Sequence, residues 1–172
     1  MSCNRTYPVK GYHLPHKNIL VLTCMDLRLL DEVVMFLEND NLTNRYDQFI
    51  LAGASLGTQI DTFKSDFDKS QLHLVKSFDH WKEIMFQHVD LAIILHQIED
   101  VYIIEHRGCG AYKTFLNADE DYVNNEEKCH KKYSKSLAKQ IKAKKEFKHL
   151  HVHTFLMDLR GNVEFMYSTN PA

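Results

Sequence analysis

The chain has 172 residues, enough for one domain with a substantial core, and its 44% hydrophobic and 11% aromatic content excludes wholesale disorder. A formal net charge of -2 points no global field at nucleic acid or acidic lipid, and no apolar run approaches the roughly 18 residues of a membrane span. The opening "MSCNRTYPVKGYHLPHKN" lacks an apolar h-region, so no secretory signal is read there and a soluble, cytoplasmic protein is expected.

Residues 1–17 are polar, punctuated by Pro8, Gly11 and Pro15, and read as an N-terminal arm packed on another subunit or on the body of the domain. Residues 18–172 read as a single domain, without internal repeats or a linker rich in Pro, Gly or Ser. "NILVLTC" is a short continuous apolar run, the mark of a strand covered on both faces, and it ends at Cys24. "DEVVMFLEND" sets Val33, Val34 and Leu37 at helical spacing. "YDQFILAGASLG" predicts a second strand broken by Gly53 and Gly57, and residues 59–70 read as a loop or irregular helix. An amphipathic helix is predicted from about 74 to 96, with Trp81, Met85, Val89 and Ala92 on its apolar stripe. "DVYIIE" is the third strand. "AYKTFLN" starts a helix, 117–130 reads as acidic and irregular, and 131–148 as a lysine-rich helix with a thin stripe of Tyr133, Leu137 and Ile141. "HLHVHTFLMDLRGNVEFMYS" predicts two closing strands around an "RGN" turn.

Strands alternating with helices imply an α/β domain: a mostly parallel central sheet, flanking helices and right-handed crossovers. With a strand order beginning 2-1-3, the carboxyl ends of strands one and three flank the switch point where such sheets bind ligands. Cys24 ends strand one, and "HRGC" puts His106 and Cys109 just beyond strand three. Gly108 allows that turn to bend and Gly110 allows the next helix to start close by. Two thiolates and one imidazole suit Zn2+, and three protein ligands leave a fourth position for water, the pattern of a catalytic site. In "CMDLR", Asp26 can face that position and Arg28 can hold its carboxylate ionised and aimed. Without Arg28, Asp26 can swing in as a fourth ligand, so the pair is expected to act as a switch between open and closed.

"CMDLR" followed by "HRGCGAY" resembles the C-x-D-x-R and H-x-x-C motifs of the β-class carbonic anhydrases. "LAGASLG" is similar to the A-G segment after that family's second strand. "VDLAIILHQIEDVYIIEH" resembles the segment entering its zinc histidine, and "HVHTFLMDLRGNVEF" its closing strands. The resemblance spans most of residues 18–167 and looks closest to an outlying branch. It implies zinc on Cys24, His106 and Cys109, a catalytic dyad of Asp26 and Arg28, reversible hydration of carbon dioxide to bicarbonate and a proton, and a homodimer or larger assembly. Residues 50–54 depart from the family's R-N-A-G-N, so the pocket wall or subunit contact differs. Glu105 stands where glycine is usual, and Arg107 where Ser or Thr is common. Two alternatives therefore stand beside that reading. One is hydrolysis of carbonyl sulfide or carbon disulfide at the same site; the other is a non-catalytic zinc protein with Asp26 as fourth ligand.

Singly the motifs are weak. A Cys ending a buried strand is usually a small core residue, and a surface Asp–Arg pair is usually worth about 0–1 kcal/mol. Their joint placement carries the metal reading. Cys3 reads as a thiol in a mobile arm and Cys129 as exposed and incidental. His151 and His153 read as strand residues on a polar or partly exposed face, and Trp81 as core or dimer interface. The lysines of 128–148 read as a solvated helix face, because glycine and aromatic interleaving are lacking. The expected partner is a small-molecule substrate, with no nucleic acid and no membrane.

Overall fold

Both faces of the first strand are covered, which is why its sequence is apolar without a break. The computed structural model describes residues 7–74, 78–117 and 125–170. Within them β1 (Ile19–Thr23), β2 (Tyr46–Ile50), β3 (Asp100–His106), β4 (His151–Met157) and β5 (Val163–Ser168) form one sheet in the order β2-β1-β3-β4-β5. The first four strands are parallel, and β5 returns antiparallel to β4 through the expected "RGN" turn. The helices are α1 (Leu30–Asn39), α2 (Phe78–His96), α3 (Gly110–Phe115) and α4 (Glu126–Ala143). This is a single α/β domain of the expected class and strand order. None of the described helices is long and apolar enough to cross a membrane.

Alternation along the strands divides the core in two. Leu22, Val101, Ile103 and Val152 pack with Met85 and Val89 of α2 and Leu137 and Ile141 of α4. Val21, Tyr102, Ile104 and Phe155 pack with Val33, Phe36 and Leu37 of α1. Each such side chain contributes about 1.5–3 kcal/mol on burial. The second layer also takes Tyr7, Val9 and Tyr12, so this part of the arm lies on the body of the domain, with the Tyr12 hydroxyl donating to Asp40 at 2.8 Å. Cys3 falls outside the described residues.

Several local expectations need correction. The segment read as irregular to residue 130 is helical from Glu126, and the lysine-rich helix ends at Ala143 rather than 148. Glu126 and Glu127 suit a helix N-terminus, and buried His130 extends the inward stripe by one turn with a polar residue that an apolar count passes over. Beyond Ala143, extended Lys144 and a 3-10 turn at Lys145–Phe147 bring Phe147 into the core. His153 is 1% exposed, not on a polar face, because its Nε2 meets Asp100 at 3.1 Å. Cys129 is half-buried against the cluster of Phe67, Tyr112 and Tyr133.

Candidate metal centre

Register decides which side chains meet at the carboxyl edge of the sheet. Thr23 pairs with Ile104, so Cys24 leaves β1 beside the final residues of β3, of which His106 is the last. The chain then reverses through Gly108 at φ +68°, a left-handed conformation open to glycine at little cost, and Cys109 caps the start of α3. Ligand atoms of Cys24, His106 and Cys109 all lie within 4.8 Å of one another. Residues far apart in sequence thus converge as expected from the topology.

The geometry of the three fits a zinc ion. Their sulfurs are 3.8 Å apart and both cysteines are free. Two Zn–S bonds of about 2.3 Å at a tetrahedral ~110° span about that distance. His106 is 2% exposed; its Nδ1 lies 3.0 Å from the Arg107 carbonyl, so Nδ1–H donates there and the lone pair sits on Nε2. That Nε2 is buried without a hydrogen-bond partner. An unmet buried acceptor costs about 1–3 kcal/mol unless something binds it.

Contact between the two sulfurs drives their ionisations apart. The hydrogen bond with Cys109 lowers the Cys24 thiol against its partial burial, and the Gly53 N–H, 3.3 Å from Sγ, adds to the effect. The same contact with Cys24, reinforced by burial, pushes the Cys109 thiol up. Sulfurs this close do not both ionise without a cation between them.

Asp26 stands beside this set. Arg28 Nε donates to Oδ1 at 2.8 Å, Nη2 to Oδ2 at 2.5 Å, and the Arg28 backbone N–H to Oδ1 at 3.1 Å. These bonds hold the Asp26 carboxyl well below the usual carboxylate range, against some burial. Arg28 also reaches the Gly108 carbonyl at 3.3 Å, tying the dyad to the turn that carries Cys109. Asp26 Oδ2 is 3.8 Å from His106 Nε2, yet Asp26 is outside the group of mutually close ligand atoms. A cavity of about 170 Å³ adjoins Cys24 and Asp26, walled mainly by Met25, Leu27, Leu29, Leu30, Val33 and Ile50.

Residue reading alone assigned no role to Glu105. It is 1% exposed and accepts hydrogen bonds from the Ser55 N–H at 3.0 Å, from the Ser55 hydroxyl and from the Tyr112 hydroxyl at 3.0 Å. His130 Nδ1 lies 3.1 Å from the same carboxylate. Burial opposes the charge on His130, but Glu105 and Glu126 outweigh it and raise its pKa. One signal was available: an acid inside an otherwise apolar, doubly covered strand must find donors. Arg107 meets Glu164 at 3.1 Å, Glu127 at 3.8 Å and Glu126 at 4.0 Å.

No family model matches this sequence. An uncharacterized protein of Rickettsia bellii is 30% identical over 160 residues, covering 92% of this chain and 87% of that protein. An uncharacterized protein of Rickettsia conorii is 30% identical over 163 residues, covering 92% and 78%. Among solved structures, a carbonic anhydrase from Streptococcus mutans superposes with a TM-score of 0.54 at 14% identity, over 91% of this chain and 87% of its own. A tetrameric β-carbonic anhydrase from Sordaria macrospora gives 0.54 at 10% identity, over 90% and 83%. The β-carbonic anhydrase CafA of Aspergillus fumigatus gives 0.50 at 14%, over 88% and 76%. The chain therefore belongs to one family with the two rickettsial proteins and is built on the β-carbonic anhydrase fold.

Proposed function

We propose that this chain is a zinc enzyme hydrating carbon dioxide reversibly to bicarbonate and a proton. The observation that carries the reading is the unpartnered His106 Nε2 converging with two free sulfurs beside an aspartate already held by an arginine. The fold shared with proteins named as carbonic anhydrases supports it. Cys24, His106 and Cys109 would hold the zinc. Bound there, zinc supplies Lewis acidity that brings the pKa of a water toward neutrality, moderated by two thiolates so that activity rises between pH 7 and pH 9.

The chain's own residues do the rest. Asp26, ionised by its bonds to Arg28, accepts a hydrogen bond from the attacking water and turns its lone pair toward the substrate. Arg28 occupies both carboxylate oxygens and so opposes the entry of Asp26 as a fourth ligand. Met25, Leu27 and Ile50 give a small linear molecule an apolar seat beside the sulfur edge. The same side chains are exposed on one copy, at 67%, 89% and 49%, and are the surface on which a homodimer or larger assembly is proposed to close. The proposed setting is the cytoplasm.

Stopped-flow hydration of carbon dioxide at pH 7 and pH 9, on protein of known zinc content, tests this. Hydration that is faster at pH 9 is expected. A zinc-loaded chain that hydrolyses carbonyl sulfide or carbon disulfide but leaves carbon dioxide alone would move the substrate to those cumulated relatives. A zinc-loaded chain inert toward all three would overturn the enzyme reading in favour of a site closed by Asp26.

A further inference from the structure

Behind the metal ligands lies a second layer of largely buried polar groups, and its contacts end on segments that carry a ligand or bond to one. Glu105 precedes His106 and is bonded through Oε1 to the backbone and hydroxyl of Ser55. Ser55 belongs to the loop whose Gly53 N–H donates to the Cys24 sulfur. Between them Ala54 holds φ +46°, a left-handed conformation that L residues avoid, so this loop needs an anchor outside itself. Glu105 Oε2 accepts from Tyr112 on α3, the helix that Cys109 caps. Oε2 also meets His130 Nδ1 at 3.1 Å. Across the His130 ring, Nε2 is 3.9 Å from Glu126 Oε1, and that oxygen accepts the Gly108 N–H at 2.5 Å, one residue before Cys109.

We propose that Glu105, His130 and Glu126 form a carboxylate–imidazole–carboxylate brace that positions Cys24, His106 and Cys109 for metal. The proposal rests on the metal-centre reading and deepens it: these are positioning residues, none of them in the ligand group. The brace explains why a carboxylate and an imidazole are buried where well-packed apolar side chains would be at least as stabilising. It reaches Cys24 through Ser55 and Gly53, His106 as its chain neighbour, and Cys109 through both Tyr112 and Gly108. Losing such support behind a metal ligand typically weakens metal binding about 10–100-fold.

The test is zinc affinity, by competition with a chromophoric chelator, together with the absorption spectrum of the cobalt-loaded chain. Glu105→Gln keeps the shape and removes the charge; it is expected to weaken zinc about 10–100-fold and to shift the thiolate–cobalt bands. Asp100→Asn, at the far end of the same strand and paired with His153, is expected to lower stability while leaving affinity and spectrum unchanged. Glu126 is 20% exposed in the first turn of α4, so Glu126→Ala tests the brace without emptying the core. Glu126→Ala is expected to weaken zinc, and Glu126→Gln, which keeps an oxygen for Gly108, to restore it. Wild-type affinity and cobalt spectra in both Glu105→Gln and Glu126→Ala would overturn the brace alone, as would equal weakening in Asp100→Asn. A wild-type chain that takes up neither zinc nor cobalt would overturn the metal-centre reading and the brace with it.

Discussion

Strand β3 carries a buried carboxylate–histidine pair at each end, Asp100 with His153 and Glu105 with His130, both at 3.1 Å. At the amino end a neighbouring carboxylate is satisfied by hydroxyls. The carboxylate of Asp40 accepts the hydroxyls of Tyr12 at 2.8 Å and Tyr102 at 2.9 Å, among rings of Phe36, Phe155 and Phe165. His151 and His153 each keep one buried ring nitrogen without a partner, but no third ligand atom joins them among the described residues. At the carboxyl end the balance differs. Two sulfurs and an imidazole nitrogen converge, all able to donate an electron pair, beside a cavity. Buried polarity marks both ends; only a convergent surplus of lone pairs marks a place for a cation.

Substitutions can sharpen or break this contrast. The largest effect is expected at the ligands: Cys109→Ser should bring carbon dioxide hydration to background, with circular dichroism showing the sheet intact. Arg28→Gln comes next, with turnover falling on the order of 10²-fold while zinc stays bound, as expected when a positioned proton acceptor loses its aim. Zinc lost together with activity there would mean that Arg28 supports the ligands rather than Asp26. At the amino end Asp40→Ala strands the buried Tyr102 hydroxyl and the half-buried Tyr12 hydroxyl and should cost about 2–4 kcal/mol in denaturant unfolding, with zinc affinity untouched. A loss of zinc in that variant would erase the distinction between the two ends.

The smallest expected effect is a pH slope. The carboxylates of Glu105 and Glu126 raise the His130 pKa above its ordinary 6.5, despite opposing burial. Stabilisation from the charged ring is therefore fully present below about pH 6.5 and is lost as pH rises through the higher folded value. Relative to His130→Gln, the metal-free wild type should lose thermal stability from pH 6 to pH 9; the opposing rise from the lowered Cys24 thiol is common to both chains and cancels in the difference.

The contrast also separates what was legible in the sequence from what was not. β1 and β3 were legible because a strand covered on both faces must be apolar throughout, and Cys24, His106 and Cys109 because a parallel topology fixes which strand ends adjoin. Pairing of Asp26 with Arg28 was legible from their separation by one residue in a turn. Glu105 and His130 were not, because the partner of a buried polar residue is chosen by packing between distant elements: their sequence neighbours are an apolar strand and an acidic, lysine-flanked segment. His153 failed for the same reason, since its burial depends on Asp100 across the strand pair. The start of α4 was missed because His130 faces inward as a bonded polar group, extending the stripe without adding to its hydropathy.

The central claim is that the carboxyl edge of this sheet holds one metal ion on Cys24, His106 and Cys109. Elemental analysis of zinc per chain, after zinc exposure and removal of the excess, tests it most directly in wild type and Cys24→Ser side by side. The account predicts one zinc per wild-type chain and none in the variant. A zinc-free wild type, or a variant that holds zinc equally well, would contradict it.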